Sequence, residues 1–266
     1  MTSSTVVPGS GHVVPRHLGV WAMQPGGSDG SLALVDALGI RSGDRIIDLA
    51  PGTGDAGLEA TEANIYSWTA ICTGSGDAEF ALDTVPSEVT CAQTGSPDAT
   101  GLPGESATVV VSEGLLFALP PESQAAVVAE AARLLRPNGR LGIHELCVRD
   151  VGLSADATSG ICDTLAEPAN GALYPHTEAG WRALLAAAGL EVESVGHHPL
   201  ELPARRDVVR RFGPRRGMGL WRHAHKDPTG SHAQKLLAKQ RGRFSGVIIV
   251  ARRPYVGALR GTAHTA

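Results

Sequence analysis

Residues 46–54, IIDLAPGTG, run from an apolar, β-branched strand into a glycine-rich turn, with Asp48 at the strand end. Gly57 follows, and a short helix is expected near 57–64. A turn of this kind lets a ligand approach backbone N–H groups at a helix N-terminus. Gly52, Gly54 and Gly57 also satisfy the spacing of a dinucleotide loop, which alone is a weak signal. At this point a nucleoside-bearing ligand, a dinucleotide and a tight turn without ligand all remain open.

Strand and helix signals alternate outward from this turn. A helix is expected over 28–38, capped by Ser28 and ended by Gly39, then a strand over 45–50. Further strands are read at 65–72, 88–94, 107–112 and 140–146. The run ATVVVS at 107–112 is of the continuous apolar kind found in sheets covered on both faces. Pro120 and Pro121 open a helix to about Leu135, with Val127, Val128, Ala131, Leu134 and Leu135 as its buried stripe. Beyond residue 150 the text is loop-rich to 176 and reads as a lid. Thr177 then caps a helix closed by Gly189, and strands follow at 191–195 and 246–251. Strands alternating with helices predict a parallel sheet with right-handed crossovers. The expected organisation is one domain over 1–266. It has a cap segment at 1–27, a ligand-binding half at 28–150 and a helical insertion at 203–242.

Composition narrows the function classes. The hydrophobic share is 42% and the charged share 19%, ordinary for a globular protein. The longest apolar runs, such as 183–190, fall well short of the roughly 20 residues a membrane-spanning helix needs. No basic-then-apolar leader opens the chain, and cysteines 72, 91, 147 and 162 form neither a CxxC pair nor a metal-ligand spacing. A cytoplasmic setting without a metal site is the expectation. Charge is uneven: residues 1–199 carry eight Lys/Arg against 24 Asp/Glu, residues 200–266 fifteen against three. The basic part either docks on its own acidic body or offers a surface to an anionic substrate or a nucleic acid.

Several segments in order now carry a specific signal: IIDLAPGTG, SPDATGLP (96–103), VVVSEGLL (109–116) and AARLLRPNGRLGIHEL (131–146). PGG at 25–27 and TEAGWRALLAAAGLEV at 177–192 add to it. Together they resemble the class I S-adenosylmethionine-dependent methyltransferases, in particular the bacterial group acting on small molecules. The resemblance implies a Rossmann-like α/β fold: a seven-strand, mostly parallel sheet with helices on both faces and an antiparallel last strand. It also implies S-adenosyl-L-methionine as cofactor. Asp48, Ala50, Pro51, Gly52 and Gly54 would face its methionine end. Asp98 and Ala99 would hold the adenine, Ser112 and Glu113 would lie near the sulfonium, and Thr73 would sit at the ribose. A cationic sulfonium with an α-amino group favours such carboxylates, and the displacement needs chiefly proximity and orientation.

For the transfer step, His144 and Glu145 are the candidate catalytic pair, expected at the rim beyond strand five, where open α/β sheets bind ligands. His176 and Tyr174 in the lid, and His17 and Trp21 in the cap, are weaker candidates. The expected activity is methyl transfer to a small-molecule acceptor. A cyclase-type enzyme or a pseudoenzyme on the same fold is the alternative, and a nucleic-acid substrate is the less favoured partner. Two departures from the family pattern matter. Ala50 replaces the first loop glycine, and Thr73 stands where a carboxylate normally binds both ribose hydroxyls. Glu62, Asp77 and Glu79 are the residues that could substitute for it. Charge-assisted hydrogen bonds are worth about 1.5–3 kcal/mol. Thr73→Asp is therefore expected to tighten cofactor binding roughly tenfold to a hundredfold in a calorimetric titration. An unchanged affinity would show that the ribose contact is rebuilt from other residues.

Overall fold

The computed structural model describes residues 25–51, 64–72, 90–149, 152, 154–167, 172–201, 205–226 and 228–255. Seven strands form one sheet: β1 (Arg45–Asp48), β2 (Ser67–Cys72), β3 (Thr90–Thr94), β4 (Ala107–Glu113), β5 (Leu135–Val148), β6 (Glu191–Pro199) and β7 (Phe244–Arg252). Their order is β3-β2-β1-β4-β5-β7-β6. The pairs β1–β2, β2–β3, β1–β4 and β4–β5 are parallel, while β7 runs antiparallel to both β5 and β6. The chain builds outward from β1 to β3 and then returns to β4. The strand direction of travel therefore reverses between β1 and β4, where open α/β sheets form their ligand crevice.

Helices cover both faces. On one face α1 (Gly27–Leu38) lays Leu34 and Leu38 on Ile46, Trp68, Val109, Val111 and Val250. On the other, α2 (Pro121–Leu134) contributes Val127, Val128, Ala131 and Leu134 to a core with Ile47, Val110, Leu141 and Ile249. α3 (Ala155–Ala166) and α4 (Glu178–Ala187) add Ile161, Leu165, Trp181 and Leu185 to that second core. β4 and β7 are buried almost throughout, as strands covered on both faces must be. The basic insertion is helical as expected, forming α5 (Arg205–Lys226), interrupted at Gly213-Pro214, and α6 (Pro228–Lys239). No helix of the described residues is long and apolar enough to cross a membrane.

Several boundaries differ from the sequence reading. α1 starts at Gly27, and its N-cap is Gly26 without a side-chain cap, not Ser28. The predicted break at Pro-Asn-Gly 137–139 is a kink inside β5, which runs Leu135–Val148 instead of 140–146. Asn138 takes a φ of 65°, its N–H donates to Arg253 O, and Arg253 N–H donates to Gly139 O, so pairing continues across the kink. β6 extends to Pro199, past the expected 195, because Pro199 still pairs with Ser245 of β7. The loop-rich 150–176 segment contains α3, whose N-cap Ser154 accepts from Ala157 N–H at 3.2 Å. Thr177 caps α4 as expected, accepting from Gly180 N–H at 3.2 Å.

α1 approaches β5 closely because β5 shows it Gly142 and the flat ring of His144. A Cβ on Gly142 would come within 2.8 Å of Leu38, and one on Gly30 would collide with the His144 ring. Gly30→Ala should therefore destabilise the protein by about 1–3 kcal/mol in denaturant unfolding. Gly160→Ala, in the interior of α3 with open space at its Cβ, should be neutral or stabilising. Equal effects of the two substitutions would contradict this packing.

Candidate functional site

Pleating sends successive side chains to opposite faces, so Asp48, Glu113 and His144 share the α1 face with Val111 and Gly142. Ser112 and Glu145 share the α2 face with Val110 and Ile143. Five of the residues singled out in the sequence thus gather around the carboxyl ends of β1 and β4, where His144 of β5 pairs with Glu113.

Asp48 is buried at the end of β1, and its Oδ1 accepts the Ala50 N–H at 3.0 Å. Burial pushes its carboxyl up to about 8; the Ala50 N–H works against this shift, and the nearby Glu113 charge adds to it. Ala50 and Pro51 continue the turn half-buried. The other loop residues, Gly52 and Gly54, lie outside the described residues. So do Thr73, its possible substitutes Glu62, Asp77 and Glu79, and the cap residues His17 and Trp21.

Glu113 anchors a buried chain of hydrogen bonds. Its Oε1 accepts from Ser31 Oγ of α1 at 2.7 Å and lies 2.8 Å from His144 Nδ1. His144 Nε2 lies 2.7 Å from His198 Nε2 of β6, and His198 Nδ1 lies 3.0 Å from Pro199 O. Proton positions follow from the partners. The carboxylate and the carbonyl each require an Nδ1–H, and the ring-to-ring contact requires a single proton. Burial and then the neighbouring His144 hold His198 below its ordinary value.

His144 and Glu145 lie inside β5, not beyond it, and neither is exposed. This corrects the expected rim position: each acts on other residues and not directly on solvent. Glu145 accepts the N–H groups of Leu116 and Phe117 at 3.0 and 3.1 Å, fixing the turn after β4. Burial raises its carboxyl to about 8 against the pull of these bonds. The lid residues close on the same turn. Tyr174 N–H donates to Phe117 O at 2.6 Å, and Gln124 Nε2 donates to both Leu116 O and Tyr174 O at 2.9 Å. His176 Nε2 lies 2.6 Å from Gln124 Oε1, and burial lowers its basicity.

The loop expected to hold an adenine is a tight turn after β3. Ala99 N–H donates to Ser96 O at 3.0 Å, and Ser96 Oγ donates to Asp98. Asp98 is half-buried and Ala99 exposed. Glu130 of α2 ties this loop down, accepting from Thr100 N–H at 3.0 Å and Thr100 Oγ1 at 2.5 Å. Burial would raise the Glu130 carboxyl, but the bonds from Arg133 and Thr100 prevail and hold it below its ordinary value. Ser112 Oγ is buried without a hydrogen-bond partner among the described residues.

Sequence reasoning missed Ser31, Gln124, Glu130 and His198. Ser31 and His198 act across 82 and 54 positions, and no local pattern marks them. The available trace was glycine: a Cβ on Gly26 or Gly246 would strike the His198 ring, as one on Gly30 would strike His144.

Residues 47–143 match the family model described as a methyltransferase domain. The matched residues thus resemble a methyltransferase domain, and the strand order around them is that of a class I methyltransferase fold. A curated relative, an uncharacterised protein of Haemophilus influenzae, is 32% identical over 85 residues, 32% of each chain. The chain thus spans about a third of the length of the relative it matches. Among solved structures, the [4+2]-cyclase SpnF superposes with a TM-score of 0.62 at 19% identity, over 85% of this chain and 81% of that one. A phosphoethanolamine N-methyltransferase 2 of Haemonchus contortus, in complex with phosphomonomethylethanolamine and S-adenosylhomocysteine, also gives 0.62, at 15% identity. There the match covers 90% of this chain and 58% of that one. At these identities the methyltransferase domain shares a fold with both, no more.

Asp48 generates a pH dependence. Its folded value is raised, so the unfolded chain gives up this proton at lower pH than the folded one. Stability from this group therefore falls as pH rises from about 4 to about 8. Asp48→Asn keeps an oxygen for Ala50 and removes the titration. In urea unfolding without ligand, the variant should match the native protein near pH 4 and gain on it progressively towards pH 8. A constant difference across this range would show Asp48 ionised in the fold.

Proposed function

We propose that the chain binds S-adenosyl-L-methionine at the ends of β1 and β4 and transfers its methyl group to a small-molecule acceptor. The observation that carries this is Asp48: a buried carboxyl at the sheet's switch point, beside a second carboxyl group, pushed up to about 8 by its burial. The cofactor's α-ammonium and sulfonium are cations of the required kind, so the donor set fits. Bound there, the cofactor supplies an activated methyl group for in-line displacement.

The chain's own residues supply binding and orientation. Asp48 with Ala50, Pro51, Gly52 and Gly54 takes the methionine end, and Ser112 offers its buried hydroxyl from the other face. Asp98 and Ala99 take the adenine on a loop pinned by Glu130. Glu113 is fixed by Ser31 and His144 before any ligand arrives, so no reorganisation is needed in the reaction. His144 and Glu145 are positioning residues in this reading. Pinning the Leu116–Phe117 turn and Tyr174 closes the crevice and limits water. The thiols of Cys147 and Cys162, free in the structure, suit a reducing cytoplasm. A cyclase-type activity or a pseudoenzyme would keep the crevice without methyl transfer, and the neutral Thr73 is the feature that favours it.

Calorimetry with S-adenosylmethionine and S-adenosylhomocysteine at pH 7, in two buffers of different ionisation enthalpy, tests the reading. Both ligands should bind, and the heats should differ between buffers by the release of about one proton as Asp48 ionises. Asp48→Asn should abolish the buffer dependence and weaken binding. No binding at millimolar ligand would remove the methyltransferase reading.

A further inference from the structure

At the carboxyl edge of the sheet, beyond the crevice, lies a second concavity of about 300 Å³. Its walls are Arg149, following β5; His197, His198 and Leu200 at the end of β6; Arg241; and Phe244 with Ser245 at the start of β7. Among the described residues, no acidic side chain lines it. The Arg149 guanidinium is exposed and has no ion pair or hydrogen bond among the described residues, its main-chain N–H donating to Arg243 O at 2.9 Å. Arg241 uses Nε on Leu200 O at 2.8 Å, which leaves its other donors and its charge without a carboxylate partner among the described residues.

The described carboxylates nearby are committed or act elsewhere. Glu178 bonds His197 Nε2 at 2.8 Å and Arg182 at 2.7 Å, outside the concavity. Glu201 influences His198 through space. Residues 203–243 add twelve Lys/Arg against two Asp/Glu, a field that draws anions to this side. Two arginines lining one concavity can present to it the fork geometry that carboxylates and phosphates match.

His198 joins this concavity to the crevice, since its Nε2 contacts His144, which in turn holds Glu113. β4 and β7 are two strand spacings apart, about 10 Å. A small molecule can span that distance with an anionic group at one end and its methyl-accepting atom at the other. We infer that the cavity lined by Arg149, Arg241 and His198 is the subsite for a carboxylate or phosphate group of the methyl acceptor. As an assignment of substrate class, this rests on the methyltransferase reading; as an anion site it stands apart from it.

The test uses the full chain and two anions, inorganic phosphate and acetate, titrated at constant ionic strength and followed by thermal unfolding. S-adenosylhomocysteine binding is measured in parallel. At least one anion should bind the native protein with a millimolar Kd, and which of the two binds distinguishes phosphate from carboxylate. Arg149→Gln and Arg241→Gln should each weaken that binding about tenfold or more, with S-adenosylhomocysteine affinity unchanged. Binding of neither anion, or equal binding by the variants, would overturn the subsite. A single-stranded RNA oligonucleotide that binds at micromolar concentration and loses affinity in Arg149→Gln would assign the cavity to nucleic acid and overturn it equally. Anion binding without S-adenosylhomocysteine binding would support the anion site while removing the methyltransferase reading.

Discussion

The Glu113 carboxylate lies in a nearly dry interior, where an unpaired charge is prohibitively costly. It is answered by Ser31 of α1 and by His144 of β5, whose other nitrogen engages His198 of β6. One buried charge therefore ties together a helix and three strands that are remote in sequence. The requirement propagates into the backbone. The two imidazole rings need room, and Gly26, Gly30 and Gly246 provide it by having no Cβ to strike them. The close seating of α1, the length of β6 and the start of β7 all answer to this one network.

Asp48, on the same face and beside the same crevice, is treated in the opposite way. Among the described residues its hydrogen-bond donor is the Ala50 N–H, and burial pushes its carboxyl up to about 8. The fold thus gives one carboxyl side-chain partners and leaves its neighbour with a backbone donor. Glu130 and Glu145 illustrate a third use of buried carboxylates. Both accept backbone N–H groups and hold a loop at the end of a strand, Glu130 the turn after β3 and Glu145 the turn after β4. These four acidic residues are distinguished by their partners: Glu113 joins elements, Asp48 meets a backbone N–H at the crevice, and Glu130 and Glu145 anchor loops.

Charge in the last third of the chain acquires a place through the sheet. β7 returns antiparallel between β5 and β6, which brings the segment before it to the carboxyl edge. Arg241 and Arg149, 92 positions apart, meet there because Arg149 N–H pairs with Arg243 O.

The sequence by itself determined the alternation of strands and helices, the apolar stripe of α2, the cap at Thr177, and the placement of Asp48, Ser112 and Glu113 at strand ends. These are local properties: side-chain period, proline and glycine placement, and polar residues terminating apolar runs. Strand lengths were less legible, because β5 and β6 continue wherever β7 offers hydrogen bonds, across a Pro-Asn-Gly break in one and through two histidines in the other. The roles within the cluster were decided only by the tertiary structure. Whether His144 faces water or a carboxylate depends on Ser31, Glu113 and His198, which come from elements far apart in the chain. Hydrogen bonds and desolvation act through space, so a pattern read along the chain finds the residues and leaves their partners to the fold.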